Sequence, residues 1–280
     1  MSEHSYAPSD PSKSGGLLEA LWSLSSPMHF APRRPTVAAL RYRAKARGIP
    51  PLADVYMPEG SGPFPSVVLV HGGGFVIGSR TMKAMSFWAT RLAEAGFAVC
   101  AIDYRMVFRG GRLTDSIDDV VTAVHWWRAQ AVRFNLDTES VSLLGLSAGA
   151  SLTMLAAAAL PGRLARVIPI FGAHDFSLVH GRRATALCRL LLHSSDRVEW
   201  RKKSPVEVAA SLAAPVLIIH GTADQMVPVV QARVLEAQRR LAGLPVDALY
   251  IDGAPHGFFN TPKYAAAADR AVDAVLRFLG

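Results

Sequence analysis

The sequence has 280 residues, half of them hydrophobic, and its formal net charge at pH 7 is +8. That length allows one undivided α/β domain, and the apolar residues suffice for a sizeable buried core. No apolar stretch is long enough to span a bilayer, and the scattered basic residues match no nucleic-acid-binding motif, so we expect no nucleic-acid partner.

The chain begins with a predicted mobile tail and a short helix. Residues 1–16 are polar and rich in Pro, Ser and Gly, and they lack the basic and apolar regions of a secretory signal. Four apolar residues then share one helical face before Pro27, namely Leu17, Leu18, Leu21 and Trp22.

Short apolar strands alternate with helices along the rest of the chain. Apolar and polar residues alternate in residues 36–44 and 51–58, as in strands with one exposed face. We predict that these two segments pair as strands. Six buried strands are predicted at Ser66–Val70, Phe97–Ile102, Ser140–Leu146, Arg166–Phe171, Pro215–His220 and Val246–Ile251. Helices are predicted over 84–95, 114–132 (capped by Thr114 or Asp115), 148–160, 229–241 and 264–279. This alternation predicts an α/β fold with a mostly parallel sheet of about eight strands covered by helices on both faces.

One region interrupts the alternation. Residues 174–212 contain no clear strand, and part of the segment has a helical pattern. An insertion at the carboxyl edge of a parallel sheet lies where ligands bind. We therefore expect a small helical cap there, within a main domain of residues 36–280.

A serine between two glycines follows one of the predicted buried strands. The motif Gly145-Leu146-Ser147-Ala148-Gly149 also begins an alanine-rich helix. Its flanking residues must be small because the turn is too sharp for side chains. At a helix N-terminus, free N–H groups favour a developing negative charge. Strand, sharp turn and helix in this order predict that Ser147 is a nucleophile.

Three successive glycines follow another predicted strand, in the stretch His71-Gly72-Gly73-Gly74-Phe75. Bare backbone N–H groups can approach a substrate oxygen closely and stabilise an oxyanion. We predict that Gly73 and Gly74 donate such hydrogen bonds, together with the N–H of Ala148. His71 is expected to brace the backbone of this glycine loop.

A serine nucleophile needs a base and an acid that orients the base. Among nine histidines, only His256 combines a late chain position with a loop after the last predicted strand. Asp224 follows the preceding strand and is the predicted acid. Asp252 is closer to His256 in sequence but would have to turn back onto it, and Asp247 lies within a strand.

These residues, with Asp103-Tyr104-Arg105, resemble the pattern of α/β-hydrolase superfamily carboxylesterases that have an HGGG oxyanion loop, as in the hormone-sensitive-lipase-like group. Leu146 and Ala150 depart from that group, in which an acidic residue and a glycine are usual. The chain is in this respect more similar to compact esterases related to kynurenine formamidase and feruloyl esterase. The resemblance implies that Asp103 and Arg105 are structural supports of the glycine loop.

The sequence thus predicts a serine carboxylesterase that hydrolyses uncharged esters through an acyl-enzyme and needs no cofactor or metal. The cap region is apolar at Leu187, Leu190, Leu191, Leu192 and Trp200, which favours an uncharged acyl group. An arylformamidase-type amide hydrolase and a catalytically silent ligand-binding protein on the same scaffold are the alternatives.

The location of the protein and the role of its N-terminal helix complete the predictions. Cys100 and Cys188 form neither a disulfide framework nor a metal-binding spacing, which favours a reducing cytoplasm. Residues 1–35 are interpreted as a tail and a helix that packs over the acyl pocket. Peripheral membrane contact is the alternative, disfavoured because the apolar stripe is short and its flanks are not rich in Lys or Arg.

Overall fold

The structure is a computed structural model that describes residues 30–44, 51–109, 111–160 and 164–280. The predicted helix at Leu17–Trp22, with its proposed cap or membrane contact, lies outside the described residues. Among the described helices, none has both the length and the apolar character required to cross a membrane.

Eight strands form one mixed sheet, as the sequence predicts. They are β1 (Val37–Arg41), β2 (Leu52–Tyr56), β3 (Phe64–Val70), β4 (Ala98–Ile102), β5 (Leu136–Leu146), β6 (Val167–Ile170), β7 (Val216–Gly221) and β8 (Val246–Ile251). Their order across the sheet is β1-β2-β4-β3-β5-β6-β7-β8. The first two strands pair antiparallel, as does β2 with β4, and all remaining neighbours are parallel.

The described helices cover both faces of this sheet. They are α1 (Lys83–Glu94), α2 (Leu113–Ala129), α3 (Ala131–Phe134), α4 (Ala148–Ala158), α5 (Arg182–Leu192), α6 (Arg197–Lys202), α7 (Pro205–Val208), α8 (Val230–Leu241) and α9 (Ala265–Leu279). Because side chains alternate across a strand, β3 serves both cores: Val68 and Val70 pack into one, and Val67 and Leu69 into the other.

Several boundaries differ from the sequence prediction by a few residues, and the helix predicted over 114–132 is divided into α2 and α3. Two of the differences have a local cause. Helix α2 begins at Leu113, and the carboxylate of Asp115 accepts a hydrogen bond from the N–H of Arg112 at 2.9 Å, so this aspartate caps from within the first turn. Strand β5 begins at Leu136, where it pairs with Phe64, although the residues that follow are too polar to read as a buried strand.

The segment 174–212 contains no strand, as expected. It folds into a short 3₁₀ helix at Phe176–Leu178 followed by α5, α6 and α7. The carboxyl ends of β3, β5, β7 and β8 lead into the loops that contain the predicted site residues. Because these strands are parallel, all four loops meet at one edge of the sheet.

Candidate active site

Ser147 occupies a strained turn between β5 and α4. Its φ and ψ are 53° and −116°, a combination that non-glycine residues rarely adopt and that is common at functional sites. A Cβ on Gly145 would lie 2.2 Å from the carbonyl oxygen of Gly149, and one on Gly149 would lie 2.2 Å from that of Val70. Both glycines are therefore required for the turn to form.

The three predicted catalytic side chains lie in hydrogen-bonding contact. Nε2 of His256 is 3.0 Å from Oγ of Ser147, and Nδ1 of His256 is 2.7 Å from Oδ2 of Asp224. They come from the loops after β8, β5 and β7. A serine that contacts an imidazole held by a carboxylate is the arrangement that can deprotonate a hydroxyl for attack on a carbonyl.

Asp224 is buried and strongly hydrogen-bonded. Its Oδ1 accepts from the N–H groups of Met226 and Val227 at 2.9 and 2.8 Å. Burial alone would raise the pKa of Asp224, but the adjacent His256 and the hydrogen bonds from His220 and His256 lower the pKa to about 2. The carboxylate is therefore ionised at neutral pH and can stabilise an imidazolium.

The two other candidate acids do not reach the base in this structure. Oδ1 of Asp252 accepts a hydrogen bond from Thr222 Oγ1 at 2.9 Å, between the first residues of the loops that follow β7 and β8. Asp247 is exposed on β8. Asp224, as predicted from chain order, is the acid in contact with His256.

The predicted oxyanion donors lie at the same site. Gly72 approaches the nucleophile so closely that a Cβ on it would lie 3.1 Å from Cβ of Ser147. The N–H groups of Gly73 and Gly74 donate no hydrogen bond to the described backbone. Ala148 is the first residue of α4, where N–H groups have no partner within the helix. All three residues line the cavity that contains Ser147.

Residues after β4 brace the glycine loop. The hydroxyl of Tyr104 donates to the carbonyl of His71 at 3.0 Å, and the two rings stack with centroids 4.2 Å apart. Burial lowers the pKa of His71 to about 4, so its ring is neutral. Asp103 accepts from the side chain of Arg80 at 2.6 Å, which fixes the end of the same loop.

Arg105 is structural, but its side chain does not support the glycine loop directly. It hydrogen-bonds Asp115, Asp118 and Asp119 of α2, including Nε to Oδ2 of the buried Asp119 at 2.8 Å. The guanidinium of Arg105 therefore binds three aspartates of α2, and not the glycine loop that the resemblance implied as its partner.

A cavity of about 410 Å³ opens beside Ser147 and His256 and is mostly apolar. Helix α5 contributes Leu187 and Leu191. Leu187 lies close to the glycine loop, where a Cβ added to Gly74 would be 3.5 Å from its Cδ2. Among the described residues that line the cavity there is no Asp, Glu, Lys or Arg. The cavity thus favours uncharged groups.

Only part of the predicted apolar cap surface faces this cavity. Leu187 and Leu191 are four residues apart and share one face of α5. Leu192 and Trp200 are instead buried in the core, and Leu190 is 41% exposed. Helical periodicity accounts for this division, since adjacent residues on a helix point in different directions.

Two polar residues at the site escaped the sequence predictions. His220 lies 3.3 Å from Asp224 Oδ2 through its Nε2, and Asn260 lines the cavity beside His256. Asn260 follows His256 by only four residues, which is a signal that sequence reading could have used. The role of His220 is less accessible, because it depends on how the loop after β7 folds back.

The fold and this arrangement of side chains define a member of the α/β-hydrolase class. The model of the BD-FAE family matches residues 53–238, and the chain belongs to that family.

Two relatives and one solved structure are similar to this chain. Esterase LipC of Mycobacterium tuberculosis is 33% identical over 70% of this chain, and ethyl acetate hydrolase of Pseudomonas putida is 26% identical over 76%. The matches cover 53% of LipC and 72% of the hydrolase, so the chain spans about half the length of LipC. The structure of Thermogutta terrifontis esterase 2 phosphonylated by sarin superimposes with a TM-score of 0.74 at 22% identity, covering 90% of this chain and 97% of that one.

Proposed function

We propose that this protein is a serine carboxylesterase that hydrolyses uncharged carboxylic esters through an acyl-enzyme. The observation that supports this most directly is the continuous contact from Ser147 Oγ through His256 to Asp224, with distances of 3.0 and 2.7 Å. The names of the two relatives, an esterase and an ethyl acetate hydrolase, agree with the proposal.

The proposed reaction has two halves. His256 takes the proton of Ser147 as the hydroxyl attacks the ester carbonyl, and the N–H groups of Gly73, Gly74 and Ala148 stabilise the oxyanion. The imidazolium, stabilised by Asp224, then protonates the leaving alcohol and leaves Ser147 acylated. Water, which loses a proton to the same imidazole, attacks the acyl-enzyme; the bond from the acyl carbon to Ser147 Oγ breaks, the imidazolium returns its proton to Oγ, and the acid is released.

The proposed substrate class follows from the cavity. Its apolar lining accommodates hydrocarbon groups, and it has no cation to pair with a charged carboxylate among the described lining residues. A volume of about 410 Å³ is within the usual range for sites of small organic ligands. In this proposal residues 174–212 act as the cap, because α5 supplies one wall.

Hydrolysis of p-nitrophenyl butyrate by purified protein tests the proposal. We expect turnover by the wild type and a loss of about 10³-fold or more in Ser147→Ala. Ser140→Ala is the matched control, since Ser140 hydrogen-bonds Asp137 away from the site. Equal turnover by wild type and Ser147→Ala would contradict the proposal. Faster hydrolysis of an aryl formamide than of the matching aryl ester would favour the amide hydrolase.

A further inference from the structure

One polar side chain in the apolar cavity has no part in the proposed chemistry. Asn260 lines the cavity with His256 and Gly257, and it is only 9% exposed. Within the described part of the chain, Asn260 forms hydrogen bonds through its backbone alone. Its carbonyl accepts from Nζ of Lys83, and its N–H donates to the carbonyl of Gly257 at 2.9 Å.

The backbone of Asn260 is therefore fixed, whereas its side-chain amide forms no hydrogen bond with the described residues. Its Oδ1 is buried and has no hydrogen-bond partner among the described residues. The neighbouring Phe258 and Phe259 are fully buried, so the amide follows two aromatic residues in an apolar environment. An unpaired buried amide destabilises a protein, whereas leucine of similar size would not. Nδ2 of the same amide lies beside Gly257, where a Cβ would be 3.0 Å from it, and both residues line the cavity. It is the end of the amide that a ligand group in the cavity can reach.

We propose that Asn260 forms a polar subsite that hydrogen-bonds an uncharged group, such as a hydroxyl, on the ester substrate. This inference rests on the proposed esterase function. Because Oδ1 is buried, the donor Nδ2 is the group that pairs with the ligand, and the oxygen of a hydroxyl can accept from it. Asn260 lies on the same loop as His256, the base that delivers a proton to the leaving alcohol. The alcohol part of the ester is therefore the expected carrier of the hydroxyl.

Two pairs of esters, each differing by a hydroxyl in place of a methyl group, test the subsite. The first pair, 2-hydroxyethyl butyrate and propyl butyrate, places the difference in the alcohol. The second pair, ethyl 3-hydroxybutyrate and ethyl 3-methylbutyrate, places it in the acid. The kcat/KM of each ester is measured by pH-stat titration for the wild type and Asn260→Leu. In the first pair we expect the hydroxyl-to-methyl ratio to fall about tenfold in Asn260→Leu, as for loss of one hydrogen bond.

Two further variants keep this test decisive. Asn260→Gln retains an amide and is expected to retain part of the preference, and Asn260→Ala replaces the leucine variant if that one does not fold. Val179→Leu, an apolar exchange at the same cavity, is the matched control and should leave the ratio unchanged. A fall in the second pair alone would also support the subsite but would place it on the acyl side.

An unchanged ratio in both pairs, with the wild type active on propyl butyrate, would overturn the subsite and leave the esterase proposal intact. Absence of turnover by the wild type on all four esters, together with failure on p-nitrophenyl butyrate, would instead overturn the esterase proposal and the subsite with it.

Discussion

Nε2 of His220 lies 3.3 Å from Oδ2 of Asp224, the same carboxylate oxygen that pairs with His256. The same nitrogen is 2.8 Å from the carbonyl oxygen of Val227. Its N–H therefore connects the end of β7 to the loop that contains both Asp224 and Val227. His220 is fully buried. We infer that it positions the carboxylate without contacting substrate.

Replacing His220 by phenylalanine should therefore lower kcat while leaving KM nearly unchanged. Phenylalanine keeps a planar aromatic ring, although a larger one, but removes the N–H donor to the loop, and a small displacement of a catalytic group can cost about 10²-fold. His220→Gln, which keeps a donor, should recover part of the rate. Steady-state kinetics with p-nitrophenyl butyrate measure both constants, and a folded phenylalanine variant with wild-type kcat would refute the positioning role.

The glycine loop should tolerate alanine unequally at its two predicted donors. Gly73 has a φ of +113°, and a Cβ there would lie 1.8 Å from the carbonyl oxygen of Ile77. At Gly74, with a φ of +61°, the nearest atom to a Cβ would be Leu187 Cδ2 at 3.5 Å. We expect Gly73→Ala to lose about 10²-fold or more in kcat, as for loss of an oxyanion donor, and Gly74→Ala to lose much less. The reverse order of activities would show that the loop adopts a different conformation.

Leu187→Ala should shift the preference toward longer acyl chains. The substitution removes a side chain that lines the cavity, and each additional methylene that becomes buried favours binding by about 0.8 kcal/mol, or roughly fourfold. A series of p-nitrophenyl esters from acetate to decanoate measures the shift. Leu190→Ala is the control, since Leu190 is exposed and does not line the cavity, and the same profile in both variants would mean that α5 does not limit chain length.

The stability of the protein should fall in mild acid because of His174. This histidine is fully buried, and burial together with the neighbouring His220 lowers its pKa to about 3. The folded state holds the ring neutral, whereas the unfolded chain binds a proton near pH 6.5, so stability is complete above that pH and decreases below it. His174 alone should contribute a slope of about 1.4 kcal/mol per pH unit between pH 6 and 4.

Urea unfolding at several pH values measures that slope. His174→Gln should reduce the free energy of unfolding at neutral pH but flatten its dependence on pH. His125→Gln is the control, because His125 is exposed on α2. Parallel pH profiles for His174→Gln and the wild type would show that His174 is not buried in its neutral form.

Sequence reasoning located the residues of the candidate site because each one belongs to a local pattern. Ser147 lies in a glycine-flanked turn directly after a strand, and Asp224 and His256 follow the last two strands in chain order. Parallel strands bring their carboxyl ends to one edge, so these local patterns were sufficient to predict a common site. The eight-strand sheet was predictable for a related reason, since apolar runs of strand length alternated with helical periodicity.

What sequence reasoning missed depends on contacts between distant elements or on unsatisfied hydrogen bonds. The aspartates that pair with Arg105 lie on α2. No local sequence pattern shows whether Arg105 pairs with these aspartates or with the glycine loop. Which of the cap leucines face the cavity depends on how α5 is rotated against the sheet. The unpaired amide of Asn260 is a property of the packed structure alone.

Covalent labelling by a fluorophosphonate, followed by mass spectrometry of the digested protein, tests the central claim most directly, since it asks whether Ser147 is an activated nucleophile. The account predicts one adduct, on the peptide that contains Ser147, and its disappearance in Ser147→Ala. It also predicts much slower labelling in His256→Ala, because the base is then absent. A folded wild-type protein without any adduct would contradict the account, and it is the result expected of a catalytically silent ligand-binding protein. An adduct on a residue other than Ser147 would also contradict it.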